Sequence, residues 1–145
     1  HPSTEMTLDG TAYERHGDPT TQPTVVLIHG LGLSRRLFDP MIAAYRAHFA
    51  VLSYDLYGHG ESAPPPRTAT LGLYAQQIAS LLDATGIGRA ALVGFSIGGM
   101  INRRFALDHP HRLSALAILN SPHDRGEAAQ LAVEDRAARR QEPFL

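Results

Sequence analysis

The chain has 145 residues, 43% hydrophobic and 19% charged, and a net charge of −1. That length suffices for one domain with a real core, burying roughly 68–70% of its unfolded surface, and the balanced charge gives no electrostatic footprint for nucleic acid or an anionic membrane. Zero cysteines exclude disulfides and thiolate metal sites and fit a reducing compartment. No apolar run approaches the ~18 residues a spanning helix needs, and no signal-peptide pattern is present. The expectation is a soluble, cytoplasmic protein. Residues 1–5 precede the first methionine, Met6, and read as a remnant ahead of the domain.

In chain order, residues 6–15 read as a hairpin about an Asp9-Gly10 turn. Thr24-Val25-Val26-Leu27-Ile28 is β-rich and apolar on both faces, as a buried strand of a parallel sheet should be. Asp39-Pro40 reads as N-cap and first residue of a helix whose Met41, Ile42 and Tyr45 share a face. Ala50-Val51-Leu52-Ser53-Tyr54 is a second strand, and Pro64-Pro65-Pro66 stiffens the loop beyond it. Thr70 caps a helix with Leu71, Ala75, Ile78, Leu81 and Leu82 at helical spacing, and Gly86 stops it. Ala90-Ala91-Leu92-Val93 is a buried strand, residues 100–107 read as a helix, and His109-Pro110 ends it. Residues 113–119 form another buried-type strand, and residues 127–140 read as an amphipathic helix. Strands alternating with helices predict an α/β fold with a mostly parallel sheet covered on both faces.

Gly94-Phe95-Ser96-Ile97-Gly98 places a serine between two glycines where a buried strand turns into a helix, the G-x-S-x-G pattern of a nucleophile elbow. Such a turn leaves the hydroxyl proud of the sheet and has no room for a Cβ at its first and last positions. Serine attacks a carbonyl only if a base takes its proton and donors receive the charge on the carbonyl oxygen. The Ile97 N–H, at the start of the following helix, is one such donor and gains from the helix dipole. The turn His29-Gly30-Leu31-Gly32, after the first central strand, offers the Leu31 N–H as a second, with Gly32 behind it.

Read together, Leu27-Ile28-His29-Gly30-Leu31-Gly32, Asp55-Leu56-Tyr57-Gly58-His59-Gly60-Glu61-Ser62 and Gly94-Phe95-Ser96-Ile97-Gly98-Gly99 resemble the α/β-hydrolase superfamily in order and spacing. Phe38-Asp39-Pro40 and Gly98-Gly99-Met100-Ile101 look most like the branch of 3-oxoadipate enol-lactonase and related small esterases. The resemblance implies a mostly parallel sheet flanked by helices, with residues 6–122 as the N-terminal part of the core and 123–145 as the start of a cap or lid. It implies a serine hydrolase acting on a carboxylic ester or lactone through an acyl-enzyme. Ser96 would be the nucleophile, Leu31 and Ile97 the oxyanion hole, and Gly30, Gly32 and Phe95 would contact substrate. Asp55, Gly58 and Gly60 would shape a turn. No cofactor or metal is implied.

The triad of this family runs in chain order Ser, acid, His, and its last two members usually lie beyond a cap. Where some members carry the acid, after the strand at 113–119, this chain has Asn120. His59 shares the sheet edge with Ser96 but reads as a turn histidine facing solvent, and His123-Asp124 is no better placed. His109 and His111 lie at the far end of the Ser96 helix, some 20 Å away at ~1.5 Å per residue. His29 reads as packed under the oxyanion turn; His1, His16 and His48 have no context. The acid and histidine are therefore expected outside this chain. The strand at 113–119 would be an exposed apolar edge by itself, and three partners would cover it: further residues of a longer protein, a second piece of a nicked one, or a dimer mate.

Two rivals belong to other classes. One is a hydrolase-like fold used as a non-catalytic binding module. The other is a dinucleotide-binding domain, because Gly30-Leu31-Gly32-Leu33-Ser34-Arg35 follows a strand and Asp55 ends the next. Arg35 stands where the third glycine should be, and the helix is expected to open only near Pro40. With no base on the chain, the isolated 145-residue polypeptide should show little p-nitrophenyl acetate turnover. The ceiling is a residual effect of order 10³-fold over water, and fast hydrolysis by the pure polypeptide would contradict this.

Overall fold

The computed structural model describes residues 3–119. Six strands form one sheet: β1 Glu5–Met6, β2 Ala12–His16, β3 Thr24–Ile28, β4 Ala50–Tyr54, β5 Ala90–Phe95 and β6 Leu113–Leu119, in the order β1-β2-β4-β3-β5-β6. β1 and β2 are antiparallel additions at one edge, and β4, β3, β5 and β6 run parallel. This is the α/β-hydrolase fold, a mostly parallel sheet flanked by helices, as expected. Glu5 pairs with Tyr13 and Met6 with Ala12, so the sheet starts one residue ahead of Met6, and the Asp9-Gly10 turn closes the hairpin with Gly10 at φ 86.

The strands are apolar on both faces because both are covered. Val26, Ile28, Leu52, Leu92 and Leu116 pack against α2 (Leu71–Thr85) and α3 (Ile97–Asp108), with Ile78, Leu81, Leu82, Ile101 and Phe105 facing them. On the other face Val25, Leu27, Val51, Ala91 and Val93 meet Phe38, Met41, Ile42 and Tyr45. Burying each larger side chain contributes about 1.5–3 kcal/mol. α2 has the expected ends: Thr70 Oγ1 accepts from Leu73 N–H at 3.0 Å, and Gly86 at φ 72 lets Ile87 N–H return to Leu82 O at 2.9 Å. No helix among the described residues is long and apolar enough to cross a membrane.

Two helix starts differ from expectation. The helix expected to open at Asp39-Pro40 begins earlier. Ser34 caps it, its Oγ accepting from Arg36 N–H at 3.2 Å, and a 3-10 stretch over Arg35–Met41 leads into α1, Ile42–Arg46. Pro40 lies inside that stretch, at a place where the sequence pattern suggested a first turn. The helix expected over 100–107 begins three residues sooner, at Ile97, directly after the elbow.

β3 is central, with β4 beside it on one side and β5 on the other. The chain leaves β3 in one direction and comes back to its opposite flank, which opens a crevice at the carboxyl ends of β3 and β5. Both glycine turns lie there. A buried ion cluster ties the neighbouring loops together. Arg35, 1% exposed, pairs through Nη1 with the fully buried Asp55 and through Nη2 with Glu61 at 2.8 Å, and donates to Thr4 Oγ1 at 2.8 Å. Its Nε stands 3.6 Å from Glu14. Asp55 also accepts from the Arg35 and Glu61 N–H groups at 2.8 and 3.0 Å.

Gly60, at φ 49, lets the 55–62 turn wrap this carboxylate, because a Cβ there would overlap it. Removing one partner of a buried pair leaves an uncompensated charge. Arg35→Met in the full-length protein should therefore lose about 3–5 kcal/mol of unfolding free energy in urea. A loss below about 1 kcal/mol would mean that the cluster behaves as an exposed pair.

Candidate active site

Ser96 has φ 59 and ψ −121 and is the sole non-glycine residue at positive φ among the described residues. A side chain rarely adopts such a backbone, and holding it costs on the order of 1–3 kcal/mol. The flanking glycines make it possible. A Cβ on Gly94 would overlap the carbonyl group of Gly98, and one on Gly98 would sit 2.5 Å from Ile28 O. A Cβ on Gly99 would sit 2.8 Å from Ile118 Cγ2. Any of these would push α3 off the sheet. With all three positions bare, α3 starts against the carboxyl ends of β3 and β5 and leaves Ser96 exposed between half-buried Phe95 and Ile97.

The turn after β3 closes on this elbow. A Cβ on Gly30 would stand 3.3 Å from Ser96 Cβ and 3.4 Å from both Leu33 Cδ1 and Phe95 Cδ2. Gly30, Ser96, Phe95 and Leu33 thus meet at the carboxyl ends of β3 and β5. Leu33 N–H bonds Gly30 O at 3.1 Å and Gly32 is at φ 78, so residues 30–33 make a tight turn that does not use the Leu31 N–H. Ile97 is the first residue of α3, a position whose N–H has no partner within the helix. Leu31 and Leu33 are 65% and 41% exposed, giving the crevice an apolar lip.

Two histidines brace this turn. His29 is fully buried; its Nε2 accepts from Leu56 N–H at 3.0 Å, which leaves Nδ1–H to donate to Gly30 O at 2.7 Å. It packs under the turn, as the sequence suggested. His59 does the equivalent from above, accepting at Nε2 from Gly32 N–H at 3.0 Å and donating from Nδ1 to Tyr57 O at 3.0 Å. Both rings are neutral in this arrangement and lie 5.2 Å apart. His59 is not a solvent-facing turn residue, and both its nitrogens are engaged with backbone. Gly32 N–H, held as an alternative oxyanion donor, is committed to His59.

His109 and His111 stay away from the crevice. His109 closes the far end of α3 with its ring 5.0 Å from Phe105, and His111 follows it. Asn120, His123, Asp124 and the segment 127–140 lie outside the described residues. Among the described residues no group of three or more His, Asp or Glu side chains is placed to hold a metal ion. The nucleotide reading fails on geometry. Asp55, which would face a ribose, is fully buried with its oxygens taken by Arg35 and Glu61 N–H. Sequence reasoning found the glycines but missed the work of Arg35 and His59, whose partners are 20 and 27 positions away.

The family model for the alpha/beta hydrolase fold matches residues 23–144, and the chain belongs to that family. A Caulobacter vibrioides protein named as carbamate hydrolase RutD, the activity being assigned provisionally in its name, is 39% identical over 127 residues, covering 82% of this chain and 47% of that protein. The crystal structure of a hydrolase from Pseudomonas aeruginosa superposes with a TM-score of 0.74 at 34% identity, over 83% of this chain and 46% of the other. The enol-lactonase of Burkholderia xenovorans gives a TM-score of 0.70 at 32% identity, over 73% and 41%. The chain thus spans less than half the length of these relatives.

Burial lowers the affinity of His29 for a proton, against the opposing pull of its bond to Gly30, and burial does the same at His16. Both therefore bind a proton more weakly folded than unfolded. Below the ordinary histidine value of about 6.5, the unfolded chain takes up protons that the folded chain refuses, so stability is full above that pH and declines beneath it. Urea unfolding of the full-length protein between pH 7.5 and 5 should show this decline, with a shallower slope in His29→Gln (roughly, by the linkage argument, up to one proton fewer). An unchanged slope would remove His29 from the explanation.

Proposed function

We propose that this chain carries the nucleophile and oxyanion hole of a serine hydrolase acting on a small carboxylic ester or lactone. The observation that carries the proposal is the strained, exposed Ser96 pressed against Gly30 at the mouth of the β3–β5 crevice. Backbone strain of this kind persists where the surroundings over-determine it, and here the surroundings are three glycine contacts aimed at presenting one hydroxyl.

Ser96 Oγ attacks the carbonyl carbon, the carbonyl π electrons move onto oxygen, and the Leu31 and Ile97 N–H groups receive that charge. Collapse expels the alcohol, which takes up the serine proton through a histidine outside the described residues, leaving an acyl-enzyme. Water then repeats the sequence and frees Ser96. Each oxyanion donor is worth roughly 10²–10³ in rate. Phe95, Leu33 and Leu31 give the acyl group an apolar lip, with Gly30 and Gly32 admitting it closely. This reading requires a triad acid and histidine outside the described residues.

The similarity to a protein named as a carbamate hydrolase supports a second substrate class for the same machinery. A carbamate carbonyl is attacked identically, and water frees its carbamoyl-enzyme as carbamic acid, which breaks down to carbon dioxide and ammonia. The lactone reading draws on the enol-lactonase likeness.

A fluorophosphonate probe tests the shared step. The full-length protein should be labelled at Ser96, and labelling should vanish in Ser96→Ala. Absence of labelling in the folded wild-type protein would favour a non-catalytic binding module and sink the proposal.

A further inference from the structure

Gly32 lies in open space: a Cβ built on it would meet no atom within 4 Å. Packing therefore does not hold the Leu31–Gly32 peptide. Glycine at the third position of a tight turn admits more than one orientation of that central peptide, and both residues are exposed. One bond restrains it, from Gly32 N–H to His59 Nε2 at 3.0 Å. His59 is itself fixed from the other side by Nδ1–H to Tyr57 O at 3.0 Å, on a loop anchored through the buried Asp55 cluster. The preceding peptide, which carries the Leu31 N–H, is held separately at Gly30 O, by His29 Nδ1–H at 2.7 Å and by Leu33 N–H at 3.1 Å.

We propose that His59 is a positioning residue for the oxyanion hole: it pins the Gly32 N–H and so fixes the far side of Leu31, completing the hold on a residue whose own N–H, in the Gly30–Leu31 peptide held at Gly30 O, receives the developing charge. The inference rests on the reading of Leu31 as an oxyanion donor. His59 touches neither substrate nor Ser96; it acts through the turn. Because the restrained donor acts on the transition state, its loosening lowers kcat and leaves KM nearly unchanged. A misplacement on the ångström scale costs about 10²-fold at worst, so a loss of roughly 10- to 100-fold is expected.

Two substitutions separate this role from general support of the loop. His59→Asn keeps a donor near Tyr57 O but has nothing that reaches Gly32 N–H. His59→Gln extends an acceptor oxygen to about the place of Nε2. In the full-length protein, steady-state hydrolysis of a p-nitrophenyl ester should show kcat reduced roughly 10- to 100-fold in His59→Asn with KM within about twofold, and largely restored in His59→Gln. Melting temperatures of the two variants, measured alongside, should not follow the order of their kcat values. If wild-type protein hydrolyses the ester but both variants keep wild-type kcat, or lose it in step with their melting temperatures, the positioning role is overturned while the hydrolase reading stands. If wild-type protein neither turns over the ester nor is labelled at Ser96, the hydrolase reading falls and takes this role with it.

Discussion

The backbone of Ser96 can sit at φ 59 only because α3 lies closer to the sheet than any side chain at Gly94 or Gly98 would permit. That close approach is the constraint on which the site depends. It puts the first turn of α3 against the carboxyl end of β3, so the start of the helix and the turn after β3 face one another across Ser96. The strain of order 1–3 kcal/mol is carried by the surrounding core, where Ile28, Leu92, Ile101 and Phe105 are fully buried. The fold supplies rigidity, and the elbow uses it to present one hydroxyl.

The second requirement is that the opposing turn keep its shape while remaining open to substrate. Packing cannot do this at Leu31 and Gly32, which are exposed. Hydrogen bonds do it instead, through two neutral imidazoles spanning the same pair of loops. These loops are in turn tied to the sheet by the Arg35–Asp55 pair and by Ser62, whose Oγ accepts from Ala12 N–H at 2.9 Å and donates to Asp55 O at 2.7 Å. A buried charge cluster is an expensive tether, since the desolvation of each ion offsets much of the attraction. Its return is geometric, because a turn that wraps a fixed carboxylate has few alternative shapes.

Much of this was legible in the sequence. The two-faced apolar strands, the Thr70 and Gly86 ends of α2, the hairpin at Gly10 and the glycine spacing of the elbow all follow from local rules with local partners. The parts that were not legible depend on distant ones. Ser34 as a helix cap was obscured because Asp39-Pro40 carries the stronger first-turn signal, although Pro40 falls inside a 3-10 stretch. Arg35 looked like a flaw in a nucleotide fingerprint, whereas its guanidinium neutralises a carboxylate on the next strand's turn. His59 looked like a solvent-facing turn histidine because its partner is a backbone N–H, which leaves no mark in a sequence. Sequence pattern records periodicity and steric exemption well, and records pairing between loops poorly.

The central claim is that the elbow and the turn after β3 together form one acyl-transfer site. A crystal structure of the full-length protein inhibited by an alkyl phosphonate tests it most directly. Phosphorus should be bonded to Ser96 Oγ, with the phosphoryl oxygen within hydrogen-bonding distance of both the Leu31 and Ile97 N–H groups. An adduct on another residue, or one on Ser96 whose phosphoryl oxygen is held by neither group, would contradict it.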